Sequence, residues 1–210
     1  MVLRKLVGLF ACALIVGIAS FATAGIPDLF ESTADAASGN TVVSVFNLPN
    51  GQGAAFTEAL DGTGMVDATI NLILLDGNTD PVANFSREDL WLESADGGMI
   101  PCMQGTIARF NTNVDGETEW SLPLGAGGYS EDLCQVVVNG DALTSSAGMP
   151  IHFNSADLTG DGAVSLADVA VFSGDFYSGD HPYRSDFTYD GVVTLADVGK
   201  LAGGLGATCN

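Results

Sequence analysis

The tightest constraint in this sequence is a twelve-residue phrase written twice near its end, DLTGDGAVSLAD from Asp157 and DFTYDGVVTLAD from Asp186. The copies align without a gap at an offset of 29 residues, and nine of the first thirteen positions are identical. Chance clusters of acids do not repeat in register. Oxygen-bearing side chains fall at loop positions 1, 3, 5, 9 and 12. They are Asp157, Thr159, Asp161, Ser165 and Asp168 in the first copy, and Asp186, Thr188, Asp190, Thr194 and Asp197 in the second. Position 6 is glycine in both, Gly162 and Gly191, where a chain wrapping an ion must turn sharply. The carbonyl of position 7, from Ala163 or Val192, completes a donor set suited to a hard cation that takes six to eight oxygens, which points to two calcium ions.

Each loop runs straight into a helical pattern. After the second, Leu195, Val198, Ala202 and Leu205 recur at steps of three and four, and after the first Leu166, Val169, Phe172, Phe176 and Tyr177 do much the same before Gly179 ends the run. Val164 and Val193, at loop position 8, are expected to meet if the loops pair.

Two such loop–helix units, without the leading helix of an ordinary EF-hand, resemble a type I dockerin domain, over about 50 of the 210 residues. The resemblance implies two calcium ions held by the twelve positions named above. It also implies recognition of a cohesin-like or other β-sandwich protein, or of another copy of the chain, through Leu166 with Ala167 and Leu195 with Ala196.

Residues 1–24 read as an export signal: Arg4 and Lys5, an apolar run from Leu6 to Ile18, then Ala22, Thr23 and Ala24 as a small-residue cleavage site. The expected location is secreted or cell-surface, with no membrane insertion after cleavage. Removing Arg4 and Lys5 leaves 26 acids against four bases, a formal charge of −22, which two calcium ions would bring only to −18. Such a surface repels nucleic acid and anionic lipid, which are held by neutralising phosphates. Charged residues are nonetheless only 15% of the chain and hydrophobic ones 47%, so a folded core is expected. Residues 25–40, rich in Ala, Ser, Gly and Asp, read as a tether.

Residues 41–153 alternate short apolar runs with Gly, Asn, Asp and Pro. Strands are expected at 41–46, 65–75, 89–93, 105–111, 118–122, 133–139 and 151–153, with about two helical turns at 54–60. Val66, Ala68, Ile70, Leu72 and Leu74 alternate as a half-buried strand does. The pattern implies an antiparallel β-sandwich. Pro81 with Val82, Asp115 with Gly116, and Gly127, Gly128 and Tyr129 also resemble bacterial immunoglobulin-like and carboxypeptidase-regulatory-like modules. The expected architecture is thus a mainly β, immunoglobulin-like sandwich over 41–153, followed by a small α-helical dockerin-like calcium-binding module over 154–210.

Three cysteines follow the signal. Cys102 and Cys134 are expected to pair within the sandwich, leaving Cys209 over. No CxxC, GxSxG or HExxH occurs, and the only histidines are His152 and His181, so no nucleophile–base or zinc constellation emerges and no enzymatic activity is expected. Glu117 with Glu119, or Glu88 with Asp89, read as solvent-facing acids. Trp91 and Trp120 are candidates to stack on sugar rings, and each is read first as a sandwich core residue.

Overall fold

The computed structural model describes residues 25–180 and 182–209, so the expected export signal at 1–24 lies outside the described residues. Among the described residues the chain is mainly β, with two α-helices near its end. In order the strands are β1 Thr33–Ala36, β2 Val43–Asn47, β3 Ala59–Leu60, β4 Met65–Val66, β5 Ile70–Ile73, β6 Leu90–Ser94, β7 Met99–Pro101, β8 Glu117–Trp120, β9 Ala126–Gly128, β10 Cys134–Val138, β11 Asp141–Ala142 and β12 Ile151–Ser155. The helices are α1 Leu166–Ser178 and α2 Leu195–Gly204. No helix of the described residues is long and apolar enough to cross a membrane.

The strands form small sheets of order β1-β5-β8, β11-β10-β6, β12-β2-β3-β4 and β7-β9. All named pairs are antiparallel except β12 with β2, where Phe153 lies beside Val45 in parallel register. Reciprocal hydrogen bonds between Ser130 and Phe153, at 2.7 and 2.9 Å, join the stretch after β9 to β12. Alternation decides which face is buried. Ile70, Leu72 and Leu74 have no exposure while Asn71 and Ile73 face out, as period two requires. These residues share one core with Val43, Val45, Leu90, Leu92, Trp120, Ile151 and Phe153. Fully burying each such aliphatic side chain contributes about 1.5–3 kcal/mol.

The structure differs from expectation in instructive places. The run 65–75 is two strands, because Asp67 turns the chain by accepting the Thr69 amide at 2.8 Å, sending β4 and β5 to different sheets. Residues 105–111 form no regular strand; Ile107 makes one bridge to Trp91. The turns expected at 54–60 shrink to a 3-10 turn at Phe56–Glu58. Residues 25–40 are no tether: β1 pairs with β5, and Ala34 and Ala36 enter the core.

The helical end is not a separate bead. Phe46 and Leu48, from β2 and its continuation, share a second core with Leu158, Val164, Phe172, Phe187, Val193 and Leu201. The Phe46 and Phe187 rings lie 5.2 Å apart. The Asn154 side chain on β12 donates to the Asp186 carbonyl at 2.8 Å, and the Gly128 amide donates to the Asp157 carbonyl at 2.8 Å.

Candidate cation-binding loops

The two repeated phrases adopt the same hydrogen-bonded form. In the first, Asp157 accepts amides of Gly160, Asp161 and Gly162 at 2.9–3.2 Å. In the second, Asp186 accepts those of Asp190 and Gly191 at 3.2 and 2.8 Å. Asp168 receives the amide and hydroxyl of Thr159 on one oxygen and those of Ser165 on the other. Asp197 receives the corresponding groups of Thr188 and Thr194. Asp161 and Asp190, at position 5, each accept the position-7 amide, of Ala163 or Val192, at 3.0 Å. Gly162 and Gly191 stand at φ +86° and +84°, the left-handed turn that their place in the loop required.

The loops also start the helices. Ser165 and Thr194 cap α1 and α2, accepting the amides of Ala167 and Ala196, and Asp168 and Asp197 complete capping boxes with them. With the position-12 aspartate turned inward, the inner face of each helix is fixed. It carries Asp168, Phe172 and Asp175 on α1, and the residues 29 further on, Asp197, Leu201 and Gly204, on α2. Gly204 packs closely there, since a Cβ would stand 2.7 Å from Leu48 Cδ2 and 3.0 Å from Ala156 Cβ. The apolar stripe that helical spacing picks out on α2 is therefore its outer face: Leu195 is 77% exposed, Val198 37% and Leu205 49%, with Ala202 exposed beside them. Leu166 is 81% exposed, and Ala167 and Ala196 are exposed too.

Val164 and Val193 are both buried in the second core. The backbone of the first loop, however, pairs with the end of the chain. The Val164 amide donates to Ala207 and the Cys209 amide to Gly162, each at 2.8 Å. That return places Cys209 beside Cys102, and these two form the disulfide, with Cα atoms 5.4 Å apart. The expected Cys102–Cys134 pair is thereby corrected: Cys134 lies on β10 with no exposure, inside the sheet core, as a free thiol. Burial pushes that thiol far above its usual range, which makes it unreactive.

Both loops bury carboxylates that have no Lys or Arg beside them. Asp157, Asp168 and Asp197 have no exposure and Asp186 only 4%, and a buried carboxylate without a counter-charge is costly. Burial, reinforced by the facing Asp168 or Asp197, pushes Asp157 and Asp186 above the ordinary carboxylate range. Asp168 is also penalised by burial, but its donors from Ser165 and Thr159 outweigh this and hold it below that range. The four Lys and Arg residues of the described chain are engaged elsewhere. Arg109 pairs with Glu119 and Arg184 with Asp175, Arg87 donates to the Arg109 carbonyl, and Lys200 lies 5.2 Å from the Phe46 ring centre. Among the described residues no three His, Cys, Asp or Glu side chains already converge as metal ligands; the loop carboxylates are turned onto loop amides. Thr159, Thr188, Ser165, Thr194 and the Ala163 and Val192 carbonyls would supply the neutral oxygens.

The first loop leans on β9 at Gly127, where a Cβ would collide with Asp157 Oδ2. Gly127→Ala is expected to lower stability by about 1–3 kcal/mol, as overpacking does, and to disturb the first loop more than the second. Urea unfolding with site-resolved NMR checks both.

No family model matches the chain, and no curated protein matches it. Among solved structures, the Lin-41 filamin domain aligns with 60% of this chain and 95% of its own length, at 14% identity and a TM-score of 0.31.

Proposed function

We propose that the chain is an exported, non-enzymatic protein in which an immunoglobulin-like β-sandwich carries a dockerin-like end that binds two calcium ions and docks a β-sandwich domain of another protein. The carrying observation is the pair of buried carboxylate sets, unpaired with any described Lys or Arg, held in one repeated hydrogen-bond pattern. Calcium supplies the counter-charge that each loop lacks, with an expected dissociation constant of about 10⁻⁴ to 10⁻³ M, as in extracellular modules. The docking reading is supported by the outer faces of the helices. Leu166 with Ala167 and Leu195 with Ala196 remain uncovered, continued on α2 by Val198, Ala202 and Leu205. An apolar face of that kind calls for an apolar counter-surface on a cohesin-like partner.

Asp161 and Asp190 are exposed, so Asp161→Ala with Asp190→Ala is expected to leave the chain foldable while abolishing the calcium-induced rise in helical ellipticity. Full retention of that rise would refute the calcium reading. Leu166→Asp with Leu195→Asp is expected to keep the calcium response and lose calcium-dependent capture of the partner. Equal capture in EGTA would refute docking through this face.

A second reading, favoured by the shared core and the Cys102–Cys209 bond, makes the helical end a calcium-stiffened strut on its own sandwich. It differs in one outcome: the stability of the chain responds to calcium, but nothing docks. Calcium-dependent growth in light scattering of the pure protein would instead indicate head-to-tail assembly.

A further inference from the structure

The sugar-stacking candidates of the sequence are not free to stack. Trp120 is buried, with its indole N–H on the Thr106 carbonyl at 2.9 Å, and the half-buried Trp91 donates to Glu93 at 2.7 Å. A different cleft lies over the outward face of β5 and β8, lined by Asn71, Ile73, Phe110, Asn111, Glu117 and Glu119. Strand register builds its floor, since Asn71 stands opposite Glu119 and Ile73 opposite Glu117. Phe110 is 56% exposed and Ile73 39%, giving an apolar pad within a polar rim. Each carboxylate is held by one oxygen only: Glu117 by Asn113 at 3.0 Å, and Glu119 by Arg109 and Ser121 at 2.7 and 2.8 Å. Their other oxygens, and the whole amide of Asn71, have no hydrogen-bond partner among the described residues. The Arg109 guanidinium sits 4.8 Å from the Phe110 ring centre, anchoring the aromatic that forms the pad.

We propose that this cleft binds a neutral oligosaccharide. The apolar C–H face of a sugar ring matches Phe110 and Ile73, and its hydroxyls match fixed carboxylate oxygens and a free carboxamide, groups that offer both acceptors and donors. The chain's formal charge of −20, with two acids in the cleft itself, selects against anionic glycans. The site goes beyond calcium-dependent docking, and it does not use the outer faces of the helices.

The test is an array of immobilised cello-, xylo-, manno- and galacto-oligosaccharides, with sulfated and uronic-acid glycans beside them, probed in calcium by residues 25–210. Retention on at least one neutral series is expected, weakened tenfold or more by Phe110→Ala and by Asn71→Ala. Leu195→Asp, on the docking face, is expected to leave it unchanged. Both cleft positions are exposed, and an unaltered melting temperature shows that the variants fold. No retention, retention on acidic glycans alone, or retention unaffected by Phe110→Ala would overturn the proposal.

Discussion

Cys209→Ser is expected to lower the stability of the oxidised protein by about 4–5 kcal/mol, because the lost bond spans a separation of 107 residues and a cross-link of that span strongly restricts the unfolded chain. The effect should also be local. Cys209 closes a short antiparallel pairing with the first loop, Ala163 bridging Thr208 and the Cys209 amide on Gly162. Freed from Cys102, the end of the chain should fray, and calcium affinity should fall at the first loop more than at the second. Urea unfolding with and without reductant reads the stability, and peptide mapping under non-reducing conditions reads the pairing. If Cys134→Ser, and not Cys209→Ser, left Cys102 as a free thiol, the bond would be the one within the sheets after all.

Chelating calcium should have an effect of similar size. At a free concentration one hundred times the dissociation constant, each site adds about 2.7 kcal/mol to stability, so two add about 5. For a chain of this length that corresponds to a drop in melting temperature of roughly 10–20 °C on adding EGTA. The drop is expected to reach the sheets as well as the helices. Phe46 and Leu48 belong to the same core as Phe172, Phe187 and Leu201, and Asn154 on β12 holds the Asp186 carbonyl. Aromatic near-ultraviolet and far-ultraviolet signals should therefore melt together. A sheet transition unmoved by EGTA, followed or preceded by separate loss of the helices, would contradict this coupling.

The loops were legible because their chemistry is local. Spacing of Asp, Thr, Ser and Gly within twelve residues sets which side chains reach the loop's own amides, and the structure repeats the same hydrogen bonds at Asp168 and Asp197. The alternation from Val66 to Leu74 was legible for the same reason, since its even positions lie toward or within the core. The direction of α2 was not. Leu195, Val198, Ala202 and Leu205 make a convincing apolar stripe, but the capping carboxylate of Asp197 must face the loop, and it carries Leu201 and Gly204 inward with it. A helix whose inner face begins with an acid and ends with a glycine defeats a hydrophobicity rule. The glycine signals an inner position through the close approach to Leu48.

The remaining surprises are contacts between parts distant in sequence. Ala34 and Ala36 gave β1 little apolar character, and pairing with β5 ordered what composition read as a tether. The disulfide depends on the chain's end returning along the first loop, a path that no cysteine spacing announces. Asp175 belongs with these. It accepts both Nε and Nη2 of Arg184 at 2.8 and 2.7 Å, and the Ser185 hydroxyl, tying the end of α1 to the start of the second loop. Its pairing with Arg184 holds its carboxyl below the ordinary range.

Titration calorimetry of residues 25–210 with calcium bears most directly on the buried carboxylate sets. Two ions per chain are expected, with heat at both loops that vanishes in Asp161→Ala with Asp190→Ala. An absence of heat, or a binding curve that this double variant leaves unchanged, would show that Asp157, Asp168, Asp186 and Asp197 are balanced by their amide donors alone, and that these loops hold no ion.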